Sequence, residues 1–315
     1  MENISEVTTF ILDGYVIMDQ QKHLYFIVFF VLYAAIVVLN SFLIAVIYSE
    51  RTLHDPMYIF VCNLSCNGIY GSTSLIPHLL FNLLSQLHTI SLSNCLIQIY
   101  CLHTYNIIEL TILAFMGYDR YIAICHPLHY HSLMSQRKLL IFLGFIWIYP
   151  LTTFLLFESL TIRLTFCSTV ISKTHCVNFE LVKLSCSVED IIINSLVGLL
   201  LMAVFIFPQI LMILFFYAQI LRVCLHSKES QTRAIQTCTP HLLAILNYFT
   251  GVFFEIVQSR FNISYLPYDF RTFMSLYFMI CPPLLNPIIY GMSGQAIRNH
   301  IWRFIFSKKL TPFKF

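Results

Sequence analysis

Apolar residues run along this chain in long continuous stretches, without the alternation of a half-buried strand or the single stripe of a soluble helix. Seven such windows stand out, near 23–48, 57–81, 95–122, 139–160, 191–221, 237–259 and 270–292. Each exceeds the roughly 20 apolar residues that carry a helix across a bilayer. A transmembrane barrel would show short strands of alternating polarity instead. The pattern predicts an all-α membrane protein, a bundle of seven transmembrane helices. After the last window, Ile297, Ile301, Phe304 and Ile305 share one helical face, with Arg298 and Arg303 on the other. That predicts a short amphipathic helix in the membrane surface. The expected divisions are an N-terminus (1–22), the bundle (23–292) and a surface helix with tail (293–315).

Composition sharpens this picture. Of 315 residues, 58% are hydrophobic and 10% charged, against about 25% charged in a soluble domain, so lipid is the expected solvent and a partner. The net charge of +3 gives no reason to expect nucleic acid. Its distribution is more telling. Of the 18 Lys and Arg, Lys22, Arg163, Lys173, Lys183, Arg260 and Arg271 fall on one side of the predicted spans. The remainder, including Arg51, Arg120, Arg137, Lys138, Arg222, Lys228 and Arg233, fall on the other. The positive-inside rule then puts the N-terminus outside the cell and the C-terminus in the cytoplasm, as in a multi-pass plasma-membrane protein. Glu2, Glu6, Asp13 and Asp19 precede the first span without a basic start, so that span is expected to act as its own insertion signal. Asn3-Ile4-Ser5 is a glycosylation signal on this outer tail; Asn262-Ile263-Ser264 lies close to the membrane, and Asn63-Leu64-Ser65 inside a span.

Charges within spans are costly and mark function. Asp119 and Arg120 stand together at the cytoplasmic end of the third span, and Glu109 lies about three helical turns further out. In the seventh span Pro287 removes a backbone donor and frees a carbonyl. Asn286 is expected to rebond that region, and Tyr290 to change partners as the helix end shifts. Four of the eleven cysteines, Cys95, Cys167, Cys176 and Cys186, fall on the outer side, where disulfides form. Four cysteines allow three pairings. The other seven read as small packing residues, and no cofactor or metal site is expected. His126, His129 and His131 crowd one cytoplasmic loop but make a weak metal motif.

The run from Met116 to Tyr130, MGYDRYIAICHPLHY, resembles the MAYDRYVAICxPLxY motif of olfactory receptors, within the rhodopsin-like G-protein-coupled receptors. Gly117 and Ile122 are its departures. Asn40, Pro56-Met57-Tyr58 and Asn286-Pro287-Ile288-Ile289-Tyr290 match the same family, and residues 233–242 (RAIQTCTPHL) resemble its KAxxTCxSHL string, with Arg233 for Lys and Pro240 for Ser. The NGIYG segment and the aromatic-rich spans resemble fish olfactory receptors, which implies water-borne odorants. The resemblance implies a switch: Asp119 holds Arg120 at rest, and Arg120, with Tyr121, Asn286, Pro287 and Tyr290, serves G-protein coupling when the sixth helix moves. It also implies the pairs Cys95–Cys176 and Cys167–Cys186. Gly68 stands where many rhodopsin-like receptors carry a sodium-binding Asp. Two readings of Glu109 stay open: a sodium ligand helped by Asn67 or Asn286, or a neutral, hydrogen-bonded acid.

The expected function is an odorant receptor that binds a small organic ligand within the bundle and activates a heterotrimeric G protein, raising cAMP. Leu102, His103, Asn106 and Ile107 on the third span face Tyr248, Phe249, Val252 and Ile256 on the sixth as a mostly apolar pocket, oriented by hydrogen bonds from His103 or Asn106. Asn194, Ser195 and Gly198 of the fifth span and Met274, Tyr277 and Phe278 of the seventh are further contributors. The alternative is a non-olfactory rhodopsin-like receptor for another small molecule. A transporter or channel predicts repeats or several charges along a path, and an enzyme needs a convergent set of acids, bases or metal ligands; the chain shows neither pattern.

Overall fold

The computed structural model describes residues 7–16, 18–225, 228–260, 265–293, 297, 298 and 300. Among them are seven long helices: α1 (Lys22–Ser49), α2 (Pro56–Leu84), α3 (Leu92–Cys125), α4 (Gln136–Thr161), α5 (Val188–Cys224), α6 (Lys228–Arg260) and α7 (Tyr268–Ser293). They coincide with the seven apolar windows, and α6 begins nine residues before its window, in polar sequence. At 1.5 Å per residue each is long enough to cross a bilayer core of about 30 Å. Six are also apolar enough by composition. The exception, α2, places Ser65, Asn67 and Ser72 in the interior, so its polarity faces protein. α3 is the axis of the bundle: 67% of its most apolar window is buried, against 17% for α4 and α5. Outer faces such as Leu140, Ile141, Ile148, Leu155 and Leu156 on α4 are left for lipid.

Local chemistry sets the helix ends. Pro56 opens α2 at a position where its missing N–H costs nothing. The Ser91 and Ser187 side chains accept from Asn94 N and Asp190 N at the starts of α3 and α5. Pro127 follows the end of α3 and turns the chain. In α5 the segment Met202–Ile206 is a π-helical turn, ending two residues before Pro208, which has no N–H for Val204 O.

The N-terminus, expected only as an outer tail, contributes a strand. Thr9–Leu12 (β1) pairs antiparallel with Thr89–Ser91 (β2) and parallel with Val170–Ile171 (β3), in the order β2-β1-β3. Alternation puts Phe10 and Leu12 inside, and Phe10 meets Phe166 edge-on at 5.3 Å. Tyr15 stacks on His88 at 4.9 Å. Both expected disulfides are present, Cys95–Cys176 tying the loop between α4 and α5 to α3, and Cys167–Cys186 closing that loop on itself. His175 is buried beneath this cap; burial, and then Lys173, push its pKa down to about 3. The glycosylation candidates Asn3 and Asn262 lie outside the described residues. So does most of the predicted surface helix; within it, Ile297 is buried and Arg298 exposed.

Proline sets the main packing problem. In lipid each carbonyl that loses its helical donor needs another from the protein. Pro287 cannot bond Pro283 O, and Asn40 Nδ2 of α1 donates to that oxygen at 2.8 Å and to Ile36 O at 2.8 Å. Pro282 likewise frees Phe278 O, which accepts from Tyr105 Oη at 3.4 Å. Gly68 makes the approach of α7 close: a Cβ there would stand 3.3 Å from Pro283 Cβ. Replacing Asn40 with Ala is expected to destabilise the protein by about 1–3 kcal/mol, the cost of an unpaired buried carbonyl, read as a lower Tm of the purified chain. In a Pro287→Ala background, where the helical donor returns, the same substitution should cost much less.

Candidate functional site

Two buried acids on α3, ten residues and therefore about 15 Å apart, organise the interior. Glu109 is 1% exposed. Its Oε2 accepts from Asn67 Nδ2 of α2 at 2.8 Å and its Oε1 from Asn286 Nδ2 of α7 at 2.8 Å. One carboxyl group thereby joins three helices. Asn67 Nδ2 also donates to Tyr105 O at 3.1 Å. The Oδ1 atoms of Asn67, Asn286 and Asn40 are buried and accept no hydrogen bond. The expectation that Asn286 rebonds the region freed by Pro287 is corrected here: Asn40 takes the Pro283 carbonyl, and Asn286 donates to the Glu109 carboxyl group.

Asp119 is wholly buried at the other end of α3. Arg120 Nε donates to its Oδ2 at 3.0 Å, and Arg120 Nη2 reaches the same oxygen. Tyr130 Oη donates to Oδ1 at 2.7 Å. Tyr130 is delivered by the turn at Pro127–His129 and the short helical turn Tyr130–Leu133 that follows. Burial, reinforced by the Asp119 carboxylate beside it, holds its phenol well above the usual pKa, so it remains a donor. Tyr121 is placed differently from its neighbours: its ring stacks on Phe216 of α5 at 5.3 Å and its Oη pairs with His126 Nε2 at 3.0 Å. Tyr290 points from α7 to Met116 Sδ at 3.9 Å. His241 of α6 is fully buried and meets Tyr217 Oη through Nδ1. Gly117 faces His241, where a Cβ would make an ordinary 3.6 Å contact, so this departure from the motif leaves the packing intact.

The candidate ligand residues divide. Tyr248 Oη donates to Asn106 Oδ1 at 2.6 Å, bringing α6 and α3 together as expected, and Phe249 meets the Tyr248 ring edge-on at 5.3 Å. Leu102 is buried beside them on α3, Ile107 and Val252 are half-buried, and Ile256 is exposed. His103 does not join this group. Its ring stacks on Phe154 of α4 at 4.5 Å and its Nδ1 pairs with Ile99 O, since an α3 residue three positions from Asn106 is not bound to share its neighbour helix. Asn194 is used in a ring of hydrogen bonds with Asn178 and Thr161 that fastens α5 to α4. Glu255 pairs with Lys173 at 3.0 Å; the Arg260 side chain lies outside the described residues. Two cavities stand out among the described residues. One, of about 420 Å³, opens between α3, α4 and α5 beside Phe115, Phe142, Tyr149 and Gln209. The other, of about 130 Å³, lies under the N-terminal cap. Neither is lined by the eight candidate ligand residues; Tyr248 packs against Phe249 and Phe278.

Sequence reasoning did not assign roles to Tyr130, Tyr217 and His241. Tyr130 and His241 lie in the MGYDRYIAICHPLHY and RAIQTCTPHL strings, where their spelling was the available signal; Tyr217 sits in a plain apolar span and gave none.

Comparison with known proteins agrees with this architecture. The crystal structure of squid rhodopsin superposes with a TM-score of 0.70 over 94% of this chain and 88% of its own, at 15% identity. That likeness shows the fold, a seven-transmembrane one. Olfactory receptor 8U3 of Mus musculus is 32% identical over 303 residues, 94% of this chain and 92% of that protein. Olfactory receptor 1P1 of Homo sapiens is 32% identical over 308 residues, covering 96% and 92%. The olfactory receptor family itself matches residues 29–309. A seven-helix membrane bundle with this sequence is a signalling receptor, and the chain belongs to the olfactory receptor family.

Proposed function

We propose that this receptor binds a small organic odorant between α3 and α6 and, on binding, activates a heterotrimeric G protein of the stimulatory olfactory type, raising cAMP. The observation that carries the reading is the Asp119 carboxylate, wholly buried and held by both Arg120 and Tyr130. A desolvated pair of this kind has two good arrangements, closed on itself or open to a new partner, which suits a switch. An odorant favours the open arrangement only by its differential affinity for it. Its place is at Asn106 and Tyr248, where it competes for their hydrogen bond. Movement of α6, which carries both Tyr248 and His241, then uncovers Arg120 for the G protein.

The orientation follows from charge: the Asp119–Arg120 end faces the cytoplasm and the disulfide-bonded cap lies outside, in the plasma membrane. The N-terminus (1–22), the bundle (23–292) and the tail (293–315) then fall outside, within and inside the cell, and Asn3 is available for glycosylation. The fish-like reading rests on the NGIYG segment and aromatic richness; the relatives compared above are mouse and human. A rhodopsin-like receptor for another small molecule would share this geometry, and membership of the family favours an odorant.

For Glu109 we favour the ionised form with a sodium ion. Both carboxylate oxygens already accept from amide N–H groups, and the Oδ1 atoms of Asn67 and Asn286 are left without donors. Carboxylate and amide oxygens are the ligands of hard cations, so Glu109, Asn67 and Asn286 would hold the ion. The Tm of the purified receptor should rise in sodium chloride over choline chloride at equal ionic strength, and Glu109→Gln should abolish the difference; a difference that persists in the variant contradicts the site.

In a cAMP reporter assay against a broad odorant panel, Arg120→Ala should reduce the ligand-evoked signal at least tenfold at equal surface expression. Signalling that survives this change counts against the switch.

A further inference from the structure

The smaller cavity has a chemistry that neither the switch nor the Asn106–Tyr248 pair explains. It lies where the N-terminal cap meets α6 and α7 and is lined by Gly14, Lys173, Thr174, Gln258, Arg271 and Ser275, among others, with no acidic side chain in its wall. Arg271 and Ser275 stand four residues apart on α7 and so share a face. Arg271 Nε and Ser275 Oγ are both buried and neither has a hydrogen-bond partner. Arg271 forms no ion pair with a carboxylate among the described residues. Its guanidinium lies 5.6 Å from the Tyr268 ring centroid. The acids close by are used or turned outward: Glu255 pairs with Lys173, Asp269 accepts from Tyr25 Oη, and Asp13 is exposed. A buried donor without an acceptor is costly, and more so on a charged group.

The close packing of the wall preserves this space. A Cβ on Gly14 would lie 2.5 Å from the backbone of both Lys173 and Thr174, so the cap can reach the loop only with glycine there. Tyr268 Oη donates to Gly14 O, and Gln258 Nε2 donates to the backbone oxygen of Arg271. These contacts fix the rim beside the Arg271 side chain.

We propose that this cavity is a second ligand site, separate from the Asn106–Tyr248 region, and that it binds a short-chain carboxylate. A planar carboxylate matches the guanidinium fork, and Ser275 Oγ supplies a further donor. The volume of about 130 Å³ is close to the roughly 150 Å³ of a cavity that holds benzene, the size range of a small organic acid. The site does not depend on the proposed signalling mechanism, because it rests on the unpaired donors alone.

The test is thermal unfolding of the purified full-length receptor in increasing sodium acetate, propionate or butyrate, against sodium chloride at equal ionic strength. The wild type should show a saturable rise in Tm with at least one carboxylate. Arg271→Gln should weaken the apparent affinity at least tenfold, Ser275→Ala should weaken it less, and Arg271→Lys should retain part of it. Propionamide, which is neutral and of similar shape, should give no rise. No rise with any carboxylate in the wild type, an equal rise in Arg271→Gln, or an equal rise with propionamide overturns the proposal. Should Arg271→Gln fail to fold, Arg271→Lys and Ser275→Ala carry the same comparison. cAMP output is not part of the readout, so failure here and failure of G-protein coupling are distinguishable.

Discussion

A carbonyl freed inside a membrane has to find a donor within the protein, and that constraint shapes the interior of this receptor. α7 contains Pro282, Pro283 and Pro287, which together strip one turn after another of its helical donors. Asn40 covers Pro283 O and Tyr105 covers Phe278 O. Because Asn40 does this from α1, Asn286 is released to hold Glu109. The three-helix junction at Glu109 is thus a consequence of how the proline damage is repaired. The closeness that this needs comes from small residues: Gly68 admits Pro283, and Gly71 lies against the Tyr105 ring.

From that junction α3 runs to the second acid with no break. Aromatic rings join its outer surface to the neighbouring helices: Phe115 stacks on Phe142 of α4 at 4.5 Å, Tyr118 meets Phe142 and Phe216, and Phe216 stacks on Tyr121. Dense packing of this kind favours discrete arrangements over gradual deformation. The polar groups at its two ends differ in character. Glu109 is held by amides from other helices and resists change. Asp119 is held by its neighbour Arg120 and by Tyr130 on a short turn, both of which can leave without unpacking a helix.

Much of this was legible in the chain. Continuous apolar runs gave seven helices to within a few residues, because lipid demands both length and hydrophobicity. The exception, the early start of α6, lies in polar sequence, where burial leaves no mark. The cap was missed because Thr9–Leu12 is four residues long, and its partners, Thr89–Ser91 and Val170–Ile171, are shorter still and distant in sequence. Asp119, Arg120 and the residues around them stood out through their spelling. The candidate ligand residues were less so: helical spacing placed Asn106 opposite Tyr248, but it could not show that His103 turns to Phe154. Likewise Arg271 read only as an outer charge, since the absence of a carboxylate partner is a property of the fold.

The central claim is that Asp119 restrains Arg120. The direct measurement is the rate of GDP–GTP exchange on a purified stimulatory heterotrimer, catalysed by purified receptor without added ligand, for wild type and for Asp119→Asn. Asparagine keeps the size of the side chain and can still meet Tyr130, but it removes the charge that holds the guanidinium. A severalfold faster ligand-free exchange in the variant is the result predicted here. An exchange rate equal to or below that of the wild type, with the variant folded, would contradict it.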